Sequence, residues 1–311
     1  MPLDRHAQRL LSMTAMASGH GPGSPAQRRR GLESLRDLAE DEADAAVTAH
    51  DLSLEGPASA LPARLYRPAT ADTAAPLPGL VFLHGGGWVA GDLSTHDGLC
   101  RRLCAASGAA ILALDYRRPP EHPFPAAFDD ALAAIRQTAA RAAELGIDAG
   151  RLGVAGDSVG GGLAAAAALR LRDEGGPSLA LLLLICPILD VPHESASRVA
   201  LAEGFFLDRA TMLADLDDYL GAGDAADPRV SPLLAPDLAG LPPTLIHTAE
   251  FDPFRDEAHA FAARLTAAGG RAETTDHAGM IHYFYCLPRA IPHARDAASM
   301  IGAQVRKVLG A

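Results

Sequence analysis

Five short, continuously apolar runs recur along this chain: Gly79 to Leu83, Ala109 to Leu114, Leu152 to Ala155, Leu179 to Ile185 and Thr244 to Thr248. A strand buried on both faces reads this way, because neither side of it meets water. Alanine-rich stretches of helical character lie among them or follow them: Phe128 to Leu145, Gly161 to Asp173, Glu257 to Ala268 and Ala294 to Leu309. Strands that alternate with helices build a mostly parallel sheet covered on both faces, so the expected class is α/β. Ala63 to Tyr66, stopped by Pro68, and the more polar Arg271 to Thr275 are further candidate strands. Before Val47 the pattern differs. Residues 1–46 carry two helical pieces around Leu10 and Leu35, joined by a Gly- and Pro-rich loop from Gly19 to Pro25. A loop of small residues and proline is expected at Thr70 to Pro78. Asp190 to Asp224 interrupts the strand–helix rhythm and reads as an insertion between two strands.

With 311 residues and 49% apolar content, the chain is long enough for one large domain with an added segment. Its 27 basic and 38 acidic residues give a net charge of −11, which argues against nucleic acid and anionic membrane as partners. No apolar run reaches the length of a membrane span. Leu10 to Ala17, ending in Ala15-Met16-Ala17, has the look of a secretory signal, but the run is short, holds Ser12 and Thr14, and follows Asp4. The four cysteines (Cys100, Cys104, Cys186, Cys286) make neither a zinc spacing nor a disulfide framework. Reduced thiols fit a cytoplasmic protein.

Gly156-Asp157-Ser158-Val159-Gly160 fits G-x-S-x-G between a strand and a helix. Glycines two positions either side of the serine remove side chains that would collide with it, and the hydroxyl projects above the sheet at a helix N-terminus. Ser158 is therefore the candidate nucleophile. His84-Gly85-Gly86-Gly87-Trp88 follows a strand directly and matches the H-G-G-G type of oxyanion loop. The amides of Gly86, Gly87 and Val159 are the candidate oxyanion donors. The same glycines satisfy G-x-G-x-x-A, a dinucleotide pattern, but that reading lacks its acidic residue at the right distance and leaves Ser158 unexplained.

The chain order of such a site is serine, acid, histidine. Asp252 follows the run Thr244 to Thr248 and is the preferred acid, with Glu250 and Asp256 as competitors. Pro253 suits the first position of the next helix, which would make Asp252 an N-cap. His282 is the preferred base on position, and His277 competes with it. No metal or organic cofactor is required.

Several blocks together resemble the bacterial hormone-sensitive-lipase-like esterases, in the subgroup with an Asp before the nucleophile. They are His84 to Trp88, Gly156 to Gly161, Asp252 to Glu257, Gly279-Met280-Ile281-His282, Tyr116 to Ala127 and Ser231 to Leu234. The similarity spans roughly residues 60 to 310. The resemblance implies the α/β-hydrolase fold and favours His282 over His277. It implies a helical cap built from residues 1–46 and from about 190–224, over a catalytic domain of residues 47–311. It further implies a small-molecule ester substrate with a short-to-medium acyl chain, and homodimers occur in the family. Trp88 and Asp157 are assigned to the substrate pocket; the other reading of Trp88 is packing, and that of Asp157 is tuning of the nucleophile turn by hydrogen bonding. Val159 replaces the usual Ala, Tyr283 follows the base where Gly is common, and Arg118-Pro119 replaces Leu-Ala. These departures bear on substrate preference. An amide or N-acyl deacylase with the same triad is the alternative enzyme. A non-catalytic receptor on this fold is disfavoured because Ser158, Asp252 and His282 are all present.

Overall fold

A computed structural model describes residues 2–17, 21–41, 45–71 and 75–310. Part of the expected loop at Gly19 to Pro25, and part of that at Thr70 to Pro78, lies outside the described residues. Helices α1 (Arg5–Ala17) and α2 (Pro25–Ala39) open the chain. Pro25 starts α2 and Ser24 caps it, exchanging hydrogen bonds with Gln27 in a capping box. There follow β1 (Val47–Glu55), β2 (Ala60–Pro68), β3 (Leu77–Leu83), α3 (Asp97–Ser107), β4 (Ala110–Leu114), α4 (Ala126–Ala140), β5 (Ile147–Asp157) and α5 (Val159–Glu174). Then come β6 (Leu181–Ile185), α6 (Ala196–Ala200), α7 (Arg209–Leu220), β7 (Thr244–Phe251), α8 (Arg255–Ala267), β8 (Ala272–Ile281) and α9 (His293–Leu309).

One eight-stranded sheet has the order β1-β2-β4-β3-β5-β6-β7-β8. β1 and β2 form an antiparallel ribbon, β2 pairs antiparallel with β4, and the remaining pairs are parallel. This is the α/β-hydrolase arrangement expected. The pleat divides the core into two clusters. Val81, Leu83, Leu182 and Leu184 face α4, α5 and α8 on one side. Leu80, Phe82, Leu181, Leu183 and Ile185 face α3 and α9 on the other. Both faces of the central strands are thereby dry, which is why their sequences run apolar without alternation.

Two boundaries differ from the sequence reading. Helix α8 starts at Arg255, with Phe254 as its cap, so Pro253 lies ahead of the helix and not at its first position. Strand β8 continues six residues past Thr275, to Ile281, pairing His277 with Ala249 and Ile281 with Phe251. Its polar side chains hide the strand in the sequence, and of them only His277 is buried, bonded to His247 and His293. The insertion folds into α6 and α7, and no described helix is long and apolar enough to cross a membrane.

Candidate active site

Ser158 is the first residue after β5 and the last before α5. Its backbone takes φ +53° and ψ −121°, a conformation L residues avoid, and is pinned there from both sides. Its N–H donates to Ile185 O at 2.8 Å, and its carbonyl accepts from Ile188 N at 3.0 Å. Glycine is obligatory around it. A Cβ on Gly156 would lie 2.2 Å from Gly160 O, and one on Gly160 would lie 2.0 Å from Leu83 O.

Asp252 follows β7 directly and His282 follows β8 directly. His282 Nδ1 lies 2.8 Å from Asp252 Oδ2, and His282 Nε2 lies 3.0 Å from Ser158 Oγ. All three side chains are buried. A carboxylate can only accept, so Nδ1 carries the proton and Nε2 is left to accept from the serine. The second oxygen of Asp252 accepts from Phe254 N at 2.8 Å, a turn that fixes the carboxylate without making it a helix cap. The Phe254 ring meets the His282 imidazole edge-on at 5.2 Å.

The competing residues stand elsewhere. Glu250 accepts from Gly279 N at 2.8 Å, and Asp256 accepts from Ser197 N at 2.8 Å. His277 bonds His247 at 3.1 Å through Nε2 and His293 at 3.0 Å through Nδ1, a chain of three imidazoles away from the serine. Burial pushes His247 down to about 3 and His277 down to about 4.

Gly86 and Gly87 line the cavity that reaches Ser158 and His282, and both have positive φ, +119° and +63°. Val159 is the first residue of α5, where an amide has no acceptor within the helix. Trp88 lines the same cavity and stacks on Tyr219 of α7 at 4.5 Å. Asp157 does not line this cavity as the pocket reading expects, and it takes the other expected part, hydrogen bonding beside the nucleophile turn. Its carboxylate is fully buried beneath the loop and accepts from Gly85 N at 2.8 Å and from the Tyr285 hydroxyl at 3.0 Å, with His96 Nε2 at 3.3 Å. Burial opposes its charge, but His96 and the Gly85 amide outweigh burial and hold its pKa below the usual carboxylate value. Tyr116 adds a hydroxyl bond to His84 O at 2.7 Å.

The cavity holds about 750 Å³ and is mainly apolar, with Leu35, Ile188, Phe206, Met212 and Leu216 among its walls. These side chains come from α2, α7 and the segments after β6. Among the described residues, Cys186, Asp252 and His282 place one possible metal ligand each within 4.8 Å of one another. Metal ligation needs a thiolate. Burial, and after it the Asp252 charge, push the Cys186 thiol well up, so this donor set is a protonated thiol beside a carboxylate–imidazole pair. All four cysteines are buried and none is in a disulfide.

Residues 80–286 match the family of the alpha/beta hydrolase fold. The chain is 44% identical over 248 residues to the carboxylic ester hydrolase LipN of Mycobacterium tuberculosis, covering 78% of this chain and 65% of that one. It is 37% identical over 279 residues to the esterase LipI of the same organism, covering 89% and 87%. The ester hydrolase EH1AB1 from the Lake Arreo metagenome, solved with a bipyridine phosphonate derivative, superposes with a TM-score of 0.94 at 40% identity, over 99% of this chain and 100% of that one. The triad geometry and these relatives agree: the chain belongs to the α/β-hydrolase fold family and is a serine-type carboxylic ester hydrolase.

Proposed function

We propose that this enzyme hydrolyses short-to-medium acyl esters, with Ser158 as nucleophile, His282 as general base and Asp252 as the group that orients it. The observation that carries the reading is the unbroken path from Asp252 Oδ2 through His282 to Ser158 Oγ, at 2.8 and 3.0 Å. Ser158 Oγ attacks the ester carbonyl while His282 Nε2 takes its proton. Asp252 stabilises the imidazolium that results. The amides of Gly86, Gly87 and Val159 receive the oxyanion. His282 then protonates the departing alcohol, and a water activated by the same imidazole hydrolyses the acyl-enzyme.

The preference for acyl length rests on the cavity. About 750 Å³ lies within the range of roughly 300–1,000 Å³ for small-molecule sites, and the walls are apolar. Helices α1 and α2, with the 190–224 segment, act as a cap over residues 47–311. Trp88 supplies part of the pocket wall through its stack on Tyr219. The test is hydrolysis of p-nitrophenyl esters from acetate to palmitate, beside the matching anilides. Turnover should peak among the short chains, exceed anilide cleavage and vanish in Ser158→Ala. A maximum at palmitate, or faster anilide cleavage, overturns the substrate assignment.

A further inference from the structure

Helix α7 reaches the oxyanion loop itself. Asp215 puts its carboxylate where Gly87 has no side chain: a Cβ built on Gly87 would lie 2.0 Å from Asp215 Oδ2 and 2.6 Å from the carboxyl carbon. One turn further on, Tyr219 stacks on Trp88 with the ring planes within 6°. From α2, Arg29 donates Nε–H to Val89 O at 2.8 Å. The loop that carries the oxyanion donors is thus gripped at three successive residues by two helices outside the central sheet.

The grip has a physical reason. Gly86 and Gly87 both sit at positive φ, where glycine is at ease, but glycine is equally at ease in many other conformations. Amides that must point at a developing charge need an external restraint. The Asp215 carboxylate fills the space beside Gly87 and provides one. Alone, its charge would oppose an oxyanion forming nearby. Arg28 of α2 stands against it, Nε 2.8 Å from Oδ1, with the two side chains 9% and 10% exposed. The contact is one of charge, since neither atom has an aligned hydrogen bond. The same guanidinium also binds Asp218.

We propose that Asp215, neutralised by Arg28, is a positioning residue that holds the Gly86 and Gly87 amides in their transition-state orientation. The 190–224 segment then serves the chemical step as well as the pocket. This rests on the reading of Ser158 as nucleophile and of these amides as oxyanion donors.

The experiment compares wild type, Ser158→Ala, Asp215→Ala, Asp215→Asn and Arg28→Met. It measures kcat and KM on p-nitrophenyl butyrate, and inhibition by a trifluoromethyl ketone and its methyl ketone counterpart. The first ketone adds the serine and mimics the tetrahedral oxyanion, whereas the second resembles the ground state. Asp215→Ala should lower kcat by about 10- to 100-fold and weaken the trifluoromethyl ketone by the same factor, leaving KM and the methyl ketone within about twofold. Asp215→Asn keeps the shape and should restore kcat to within about threefold of wild type.

Arg28→Met should add a descending alkaline limb to kcat. Burial pushes Asp215 up to about 7, and Arg28 works against that rise. The charged groups around Asp215 are Arg28 from α2 and Asp208 and Asp218 at α7, so an Asp215 without Arg28 ionises later and then unopposed. The limb should disappear in the Arg28→Met, Asp215→Asn double variant, and it decides the matter even where Asp215→Ala does not fold. A rise in KM at constant kcat, a kcat loss with unchanged trifluoromethyl ketone affinity, or no new limb in Arg28→Met overturns the proposal. Turnover in Ser158→Ala overturns the esterase reading instead.

Discussion

The Asp157 carboxylate accepts the Gly85 amide hydrogen at 2.8 Å, so the residue before Ser158 fastens the loop whose Gly86 and Gly87 amides are the proposed oxyanion donors. Its other oxygen takes the Tyr285 hydroxyl at 3.0 Å, three residues beyond His282. One buried anion therefore ties together the Ser158 turn, the loop of residues 85–88 and the segment after His282.

Replacing that anion should damage stability and catalysis together. Asp157→Ala leaves the Gly85 amide and the Tyr285 hydroxyl buried without an acceptor, at a cost of about 1–3 kcal/mol each. Tyr285→Phe removes a single bond and should cost about 1 kcal/mol. Urea midpoints read the stability, and kcat should fall further in Asp157→Ala than in Tyr285→Phe. Equal midpoints for Asp157→Ala and wild type would contradict the network.

The two neighbouring histidines should part cleanly. His282→Ala should lower kcat by about 10⁴-fold or more with little change in melting temperature. His277→Ala should keep most activity and melt earlier, because His247 and His293 lose their shared partner. Full activity in His282→Ala would remove the base from the mechanism.

Acid should destabilise the fold through buried neutral imidazoles. His84, His247 and His277 are held down to about 3, 3 and 4, mainly by burial. The unfolded chain binds these protons near pH 6.5 and the folded chain resists them. Their contribution is therefore complete above about pH 6.5 and is lost as pH falls towards 4, at up to about 1.4 kcal/mol per pH unit for each proton taken up only on unfolding. His247 and His277 share a bond, so a proton on one opposes a proton on the other and the pair titrates in two steps. Melting temperature measured from pH 8 to 4 should fall below pH 6.5, and His247→Gln should flatten the slope.

Two glycines on α5 make a controlled contrast. Gly160→Ala drives a Cβ to 2.0 Å from the Leu83 carbonyl, backbone against backbone, and should prevent a stable fold. Gly175, the C-cap of α5 at φ +64°, has nothing within 4 Å of its missing Cβ. Gly175→Ala meets only the left-handed penalty of about 1 kcal/mol, readable as a small shift in melting temperature.

The nucleophile turn was legible in the sequence because its constraint is local: two glycines, a strand before and a helix after. The same holds for the apolar strands, whose burial on both faces leaves no alternation to mislead. That Asp157 tunes the turn by hydrogen bonding is legible in the sequence, but its absence from the pocket is not, because its partners Gly85, His96 and Tyr285 lie far apart in the chain. Strand β8 reads shorter than it is because the sequence does not reveal that His277 has imidazole partners. The grip of Asp215 on Gly87 joins residues more than a hundred positions apart and leaves no mark in either segment alone.

Ser158, Asp252 and His282 share one placement: each is the first residue past the end of a parallel strand, β5, β7 and β8. Those strands stand side by side with only β6 among them. A single residue added to or removed from any of the three would turn its reactive group to the opposite face of the sheet. Length is therefore rationed inside these three strands. Change in what the enzyme accepts can proceed at the pocket-facing positions of α2 and α7, such as Leu35, Met212 and Leu216, while the triad stays in register and Arg28, Arg29, Asp215 and Tyr219 keep their places.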